Sequence, residues 1–259
     1  MDGFGYGENG GAWGGEFLVA DYVSWFRMAH FAEVPLPGGD LAARQPWRMA
    51  LSYLRDAYGN DIPKLPSLGG LERGQVRNVL AMMEEGLNSP LTSSCGRLFD
   101  AIAFLSGLAP MEVEFEAEAP MRLEAAARDG VRSGYPFSIV GNSLPLRISF
   151  GPAIREIVAD IVRRTPAEEI SSKFHNMLAL VIAAIAERAR TGYGLDTVAL
   201  VGGVFLNKRL LMAVERLLEK KGVRVLRPLL YSPNDESLSL GQIAFALAKS
   251  ARNIRKRTR

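Results

Sequence analysis

Cysteine and histidine are scarce in this sequence of 259 residues, which contains one cysteine, Cys95, and two histidines, His30 and His175. A single cysteine excludes an internal disulfide and fits a reducing compartment. The two histidines fall in different predicted elements, and no His-x-x-x-His pair is present. The sequence therefore lacks the His-x-x-x-His signature of a metal site and offers few histidine ligands.

Long hydrophobic runs are also missing. The longest candidate, residues 177–186 (MLALVIAAIA), has polar flanks and falls well short of the ~20 residues that span a bilayer. We predict that it is the core-facing part of a long helix. The first residues lack the basic-then-apolar pattern of a secretory signal. We therefore predict a cytoplasmic protein that does not associate with membranes.

Positive charge is concentrated in one short segment. The net charge is +3, and residues 251–259 (ARNIRKRTR) contain five arginines and lysines. The remaining body is nearly neutral, and no aromatic residues alternate with these basic ones, as they do in many nucleic-acid-binding segments. We interpret 251–259 as a solvated basic tail and expect no nucleic-acid partner.

Glycine is abundant in the first segment, MDGFGYGENGGAWGGEF, which has seven glycines between positions 3 and 15. Glycine loses more backbone freedom on ordering than other residues do. Such clusters usually lie where the backbone turns sharply or approaches a ligand closely. A ligand-contacting loop is therefore one interpretation of this segment.

The hydrophobic pattern predicts an α/β fold. Residues 15–21 and 25–35 resemble two strands of a hairpin, and 131–165 looks irregular because of three prolines. The last third alternates between a helix at 167–190, a buried strand at 195–201, a Gly-Gly turn and a second strand at 223–228, which indicates a largely buried sheet. The other predicted helices are 41–59, 75–86, 89–108, 118–130, 207–222 and 238–250.

The Gly-Gly turn lies in VALVGGVFLN, where Gly202 and Gly203 connect the predicted strand to a helix. Backbone N–H groups and the partial positive charge of a helix N-terminus favour phosphate at such a turn. A tight turn without a ligand explains the pattern equally well, so both interpretations stay open.

Acidic residues in two other segments have structural and functional interpretations. Asp235, in SPNDESLSLGQ, fits a helix cap or a ligand of a hard metal ion. Arg97 and Asp100, three apart in SSCGRLFDAIA, fit a surface ion pair or a carboxylate that accepts ribose hydroxyls.

Three further residue types are assigned structural roles from the sequence. Cys95 is interpreted as a small buried residue and not a nucleophile, because no histidine or lysine stands near it in the chain. Glu118 and Glu124 read as acids on a helix surface, and His175 as a capping or core histidine.

Taken together, several segments resemble the C-terminal domain of the HypF family of hydrogenase-maturation carbamoyltransferases, and the match runs from residue 2 to about residue 250. The matching segments are DGFGYGENGGAWGGE, VPLPGGDLAARQPWRMA, SPLTSSCGRLFDAIAFLSGL, FEAEAPMRLEA, KFHNMLA, LVGGVFLN and PNDESLSLGQ. That domain is similar to TsaD-type tRNA threonylcarbamoyl transferases. The resemblance implies a two-lobed α/β ASKHA fold, as in actin, Hsp70 and sugar kinases, with residues 1–250 as the domain.

The same resemblance implies an activity. HypF transfers a carbamoyl group from carbamoyl-adenylate to the C-terminal cysteine thiol of HypE, a step in cyanide synthesis for [NiFe]-hydrogenases. ATP or carbamoyl-adenylate is then the expected nucleotide, with a divalent metal (Mg, Fe or Zn). The residues matching the family's nucleotide-binding positions are Asp2, Gly3, Phe4, Gly5, Gly96, Asp100, Glu118, Gly202, Gly203 and Asn207, and Asp235 matches a metal ligand.

Differences from the family pattern limit these expectations. In the family, a histidine-rich metal motif lies just upstream of the DGxG loop, and it is not in this sequence. The resemblance therefore implies an incomplete first lobe, an incomplete metal site with Asp235 alone, and weak activity unless an upstream HypF fragment acts as partner. Phe4 stands where a small or β-branched residue is common in the family, and Glu236-Ser237 stands where the family usually has Gly-Gly.

Two other functions remain compatible with the sequence. One is an ASKHA carbamoyltransferase that acts on a small-molecule hydroxyl, although the GRLFDA and PLPGGDLAARQPWRMA segments favour HypF. The other is a non-catalytic nucleotide-binding subunit that is completed by a partner chain through an open sheet edge.

Overall fold

The computed structural model describes the backbone of residues 1–257 and the side chains of residues 1–252. Ten strands and nine α-helices lie within this described part. The strands are β1 (Gly5–Tyr6), β2 (Ala12–Trp13), β3 (Glu16–Ala20), β4 (Trp25–Phe31), β5 (Val34–Pro35), β6 (Leu91–Thr92), β7 (Ser138–Val140), β8 (Leu146–Ser149), β9 (Thr197–Ala199) and β10 (Arg224–Leu226). The helices are α1 (Leu41–Arg44), α2 (Pro46–Tyr58), α3 (Arg73–Glu85), α4 (Cys95–Leu105), α5 (Glu118–Ala126), α6 (Gly151–Val162), α7 (Ala167–Tyr193), α8 (Lys208–Lys220) and α9 (Leu238–Arg257).

The strands form three small sheets, with the orders β1-β2-β6-β5, β3-β4-β8-β7 and β10-β9. The predicted hairpin is confirmed: β3 pairs antiparallel with β4, and Glu16 lies opposite His30. β4 pairs parallel with β8, and β9 pairs parallel with β10. Parallel pairs joined through helices are the pattern expected of an α/β fold.

Helices α2, α4 and α7 supply the centre of the core. The rings of Phe99 on α4 and Phe174 on α7 meet edge-to-face with centroids 4.9 Å apart. The apolar run 177–186 is largely buried along α7, which confirms its prediction as core. None of the helices within residues 1–257 combines the length and apolar composition needed to cross a bilayer.

Pro46, Pro145 and Pro152 each lie at the beginning of a helix or just before a strand. Pro46 is the first residue of α2 and separates it from α1, so the predicted helix 41–59 is two helices. The prediction that 131–165 is irregular is wrong, because β7, β8 and α6 lie there. Pro145 precedes β8, and Pro152 occupies the first turn of α6. A missing backbone N–H is harmless at both places, so these prolines begin elements and do not interrupt one.

The strand after α7 is shorter and more exposed than predicted. β9 covers only Thr197–Ala199, and two of its three residues are exposed. Within residues 1–257 it pairs with β10 alone, so the prediction of a buried strand in a buried sheet is wrong here. The final helix also runs further than predicted, to Arg257, so most of the predicted tail continues α9; residues 258 and 259 lie outside the described part.

Ala117 precedes α5 with φ +62°, in the left-handed region where a Cβ is unfavourable. We expect Ala117→Gly to raise the free energy of unfolding by about 1 kcal/mol, because glycine removes this strain. Urea denaturation provides the measurement. Ala125→Gly, at an exposed position inside the same helix, is the matched control and should lower stability by about 1 kcal/mol or less. Equal effects of the two changes would contradict the prediction.

Candidate nucleotide site

The first glycine loop packs against the start of α4. The Asp2 carbonyl accepts a hydrogen bond from the Gly96 N–H at 3.1 Å, and the Asp2 N–H donates to the Gly14 carbonyl at 2.7 Å. The Ser94 hydroxyl donates to the Gly3 carbonyl at 2.6 Å. A Cβ on Gly96 would lie 2.7 Å from the Gly3 Cα, so the two backbones touch directly. Only glycine at position 96 permits this contact.

The second glycine loop reaches the same place. Gly202 has φ +100°, and a Cβ there would lie 2.1 Å from the Met1 carbonyl oxygen. The Val204 N–H donates to that carbonyl at 3.3 Å. A Cβ on Gly203 would lie 3.3 Å from the Asp2 carboxylate oxygen. Segments about two hundred residues apart in sequence therefore converge, together with the N-terminus of α4.

Asn207 links this locus to the core. Its side-chain oxygen caps α8 by accepting from the Leu210 N–H at 2.8 Å, and its side-chain nitrogen lies 2.9 Å from His175 Nε2. His175 Nδ1 lies 2.8 Å from the Ser171 carbonyl. If Asn207 donates to Nε2, then the proton of neutral His175 is on Nδ1. Burial lowers the pKa of His175 to about 4, so the ring is neutral at pH 7. The predicted core role is confirmed.

Asp100 lies one turn along α4 from Gly96 and is 2% exposed. Its Oδ2 is 2.9 Å from Arg97 Nε, but the two groups are not aligned for a hydrogen bond, and neither atom has another partner among the described residues. The surface ion pair is therefore wrong as an interpretation. Burial raises the pKa of Asp100 to about 6, although Arg97 opposes the shift. A buried carboxylate oxygen without a donor can accept a ligand hydroxyl.

Glu118 is buried as well, so its interpretation as a helix-surface acid is wrong. Its carboxylate accepts from the Glu114 N–H at 2.7 Å and from Arg122 Nε at 2.8 Å. The Glu114 bond and then Arg122 lower the pKa of Glu118 against the effect of burial. Glu124 is half-buried and accepts from the Arg209 N–H at 3.2 Å. Both glutamates are thus engaged inside the protein.

Asp235 and Phe4 lie at the periphery. Asp235 is exposed at the start of a short 3₁₀-helix, and Asn234, not Asp235, caps it by accepting from the Glu236 N–H at 3.2 Å. The Pro233 carbonyl accepts from the Gly202 N–H at 2.7 Å, so this loop adjoins the second glycine loop. Phe4 is 56% exposed. Among the described side chains, no group of three or more His, Cys, Asp or Glu residues could hold a metal ion.

One further sequence-based assignment is confirmed, and two residues of this region were not predicted from the sequence. Cys95 is buried, and burial raises the pKa of its thiol to about 12, so the inert structural role is confirmed. Ser94 was missed, although a Ser-Ser pair before a helix is a capping signal; its hydroxyl also accepts from the Arg97 N–H at 3.0 Å. Tyr53, on α2, was missed too. Its buried hydroxyl has no partner among the described residues, and nothing in the sequence signals that.

Gly202→Ala should lower the free energy of unfolding by about 2 kcal/mol or more, because the new Cβ meets the Met1 carbonyl at a positive φ. Thermal denaturation provides the measurement. Gly192→Ala is the control, since this helical glycine has open space around it, and it should be neutral or stabilising by about 1 kcal/mol. Comparable effects of both substitutions would rule out the close contact.

His175 should make stability depend on pH. The unfolded chain binds a proton at His175 below pH 6.5 but the folded protein only below about 4, so acidification through this window costs stability. Asp100, whose pKa is raised to about 6, acts in the opposite direction over an overlapping range. The readout is therefore the difference between wild type and His175→Gln in urea denaturation at several pH values. The wild type should lose more stability than the variant between pH 6.5 and 4; parallel curves would refute this.

Comparisons with known proteins agree on one family. A family model described as "Carbamoyltransferase, Kae1-like Domain, second subdomain" matches residues 1–242. The carbamoyltransferase HypF homolog of Cupriavidus necator is 37% identical over 249 residues, which cover 93% of this chain and 62% of that protein. Carbamoyltransferase HypF of Rhizobium leguminosarum is 35% identical over 246 residues, which cover 95% of this chain and 31% of that protein.

A solved structure supports the fold. The crystal structure of full-length HypF in the phosphate- and nucleotide-bound form matches with a TM-score of 0.87 and 32% identity, over 95% of this chain and 38% of that one. The match confirms the α/β, ASKHA-like fold class. This chain thus spans from about a third to less than two thirds of the length of these relatives. On this evidence the chain belongs to the HypF carbamoyltransferase family.

Proposed function

We propose that this chain binds the adenine nucleotide for carbamoyl transfer from carbamoyl-adenylate to the C-terminal cysteine thiol of a HypE-type acceptor protein. The observation that carries the proposal is the convergence of the two glycine loops, at Asp2-Gly3 and Gly202-Gly203, on the N-terminus of α4. A matching HypF structure was solved in a phosphate- and nucleotide-bound form. The shared fold and the two glycine loops together support this locus as the candidate for a nucleotide here.

The residues at the locus suit the parts of such a ligand. Gly203 is the first residue of a 3₁₀-helix, so its N–H has no partner within that turn and can donate to a phosphate oxygen. Asp100 Oδ2 has no hydrogen-bond donor among the described residues and can accept a ribose hydroxyl. Asn207 is held by His175, so its side chain presents one fixed orientation beside the second loop. Gly96 lets the first loop lie directly against α4, and the assignments of Gly5 and Glu118 rest on the family resemblance.

In the transfer step, the thiolate sulfur attacks the carbamoyl carbon, a C–S bond forms, and the bond from that carbon to the phosphate oxygen breaks to release AMP. The contribution of this chain is to hold the leaving phosphate and the ribose, so that the carbamoyl carbon has a fixed position. A divalent metal would add charge compensation at the phosphate. The described residues offer Asp235 alone for it and do not form a complete metal site, so we route no step through a metal.

We further propose that a polypeptide equivalent to the first subdomain of the family's Kae1-like domain is the partner. β9 has a free edge within the described residues, since it pairs with β10 only. An apolar stripe on α9, formed by Leu240, Ile243 and Leu247, is 50%, 58% and 67% exposed. Stripes of this kind mark an interface, and a free strand edge accepts another strand.

A second candidate function is a nucleotide-binding subunit that is not itself catalytic. The observation that favours it is the lack of a metal-binding group of side chains within the described part of the chain. This candidate differs from the first only in the origin of the catalytic groups, which would belong to the partner polypeptide.

The nucleotide proposal is tested by isothermal titration with ATP and Mg²⁺, for the chain alone and mixed with the first subdomain of the Cupriavidus necator relative as a separate polypeptide. We expect binding by the mixture and weaker binding by the chain alone. Asp100→Asn should weaken binding about tenfold, through loss of a charge-assisted hydrogen bond. Asp129→Asn, at a fully exposed carboxylate, should have no effect. Absence of heat in both samples would reject the site.

Carbamoyl transfer is tested separately with carbamoyl-adenylate and HypE, by mass measurement of the HypE thiol. We expect modification with the mixture and little with the chain alone. Full activity of the isolated chain would refute the need for a partner. Nucleotide binding by the mixture without HypE modification would favour the non-catalytic subunit.

A further inference from the structure

A cavity of about 720 Å³ lies among the β3–β4 hairpin, the glycine-rich segment and α9, and it shares no lining residue with the candidate nucleotide site. Its aromatic lining consists of Trp13, Trp25, Phe26 and Phe245. Trp25, Phe26 and Phe245 are 43%, 38% and 44% exposed. Large aromatic side chains that remain open to solvent around one cavity are typical of a binding site.

The tryptophan pair is rigid. Trp13 Nε1 donates to the Asn9 side-chain oxygen at 2.9 Å, and the Arg27 guanidinium lies 4.0 Å from the centroid of the Trp13 ring. Trp25 packs against Trp13 at 6.3 Å between centroids, with the rings 88° apart. Trp13 and Trp25 thus form two fixed rings at right angles, and the Arg27 guanidinium already lies over the Trp13 ring.

Most polar groups of the cavity are engaged within the protein. Arg27 pairs with Glu16 and Glu33, and the Ser24 hydroxyl donates to Asp21 at 3.0 Å. Asn9 accepts from Trp13 and donates to Glu33 at 3.3 Å. Among the described side chains, the Glu8 carboxylate and the Trp25 indole N–H are the lining polar groups without a hydrogen bond or ion pair. The cavity therefore offers one negatively charged acceptor and one neutral donor.

The charge balance also favours a positive ligand. Among the side chains that the structure describes, four carboxylates lie around the cavity (Glu8, Glu16, Asp21 and Glu33) together with three cations (Arg27, Lys249 and Arg252), which leaves a net charge of −1. Lys249 lies 5.6 Å from the centroid of the Phe245 ring. Trp13 and Phe245 each face a cation of the protein, and Phe26 packs against Tyr193 at 5.5 Å between centroids. Among the described lining residues, the ring of Trp25 is therefore the one that has no cation or second aromatic ring beyond Trp13 on it.

We propose that this cavity binds an organic cation, an alkylammonium or guanidinium group, that lies on the Trp25 ring and pairs with Glu8. An aromatic face beside a carboxylate is an arrangement that binds such groups. A lysine or arginine side chain of a partner polypeptide and a free organic amine share this chemistry. The proposal does not depend on nucleotide binding or carbamoyl transfer.

The test follows the three tryptophan indole N–H signals by NMR during titration with Nα-acetyl-arginine methylamide. Trp13 and Trp25 line the cavity, whereas Trp47 is buried on α2 and serves as the internal control. The Trp25 signal should move most and the Trp47 signal should not move. The uncharged analogue Nα-acetyl-citrulline methylamide should bind at least about tenfold more weakly, because it has the same shape without the charge. Equal shifts with both compounds, or none with either, would overturn the proposal.

Glu8→Gln should reduce the affinity for the arginine compound about fivefold, since it removes the charge that pairs with the ligand. Glu236→Gln, at another exposed acid, is the control, and the thermal midpoints establish that both variants are folded. Unchanged affinity in Glu8→Gln would also overturn the proposal. A pentapeptide Gly-Ser-Arg-Ser-Gly identifies the source: tighter binding than the single blocked residue supports a partner polypeptide, and equal binding supports a free organic cation.

Discussion

The candidate site depends on direct backbone-to-backbone contact at glycines, where no side chain lies between the two segments. The Asp2-Gly3 segment lies against α4 at Gly96, and the Gly202 loop lies against Met1. A Cβ at either glycine would fall within 3 Å of backbone atoms, a distance at which something must shift. These contacts hold two loops and one helix N-terminus, far apart in sequence, within reach of one ligand.

The core behind this contact sets the electrostatics of its side chains. Asp100 and His175 are both buried, and desolvation favours the neutral form of each, which raises one pKa and lowers the other. Glu118 is equally buried but receives a backbone N–H and an arginine, so its pKa moves down. Burial therefore does not decide the charge state of a carboxylate; the number of donors aimed at it does.

Two exposed surfaces have backbone or apolar groups that no described residue pairs with or covers. β9 lacks a second neighbour, and α9 presents apolar side chains to solvent. In contrast, the polar network of Glu16, Arg27 and Glu33 is closed, and it stiffens the wall of the aromatic cavity. The open edge of β9 can pair with a strand of another polypeptide. The Trp13 and Trp25 rings beside Glu8, which has no partner among the described side chains, suit a single positively charged group.

The sequence by itself determined the local elements and the family. Period-2 and helical patterns predicted the β3–β4 hairpin and α7, because their hydrophobic faces are set by neighbours within the element. The glycine pairs and the segments around them identified the HypF family and the loops of the candidate site. These features are local, so one chain suffices to predict them.

Only the tertiary structure decided which groups are buried and what they touch. Asp100 and Glu118 look like surface acids in the sequence, yet packing from α2 and from the loop before α5 encloses them. Pro145 directly precedes β8 and Pro152 lies in the first turn of α6, because their missing backbone N–H groups are not needed at those positions. β9 reads as a buried strand but lies half-exposed, since burial depends on neighbouring strands that a local pattern does not specify.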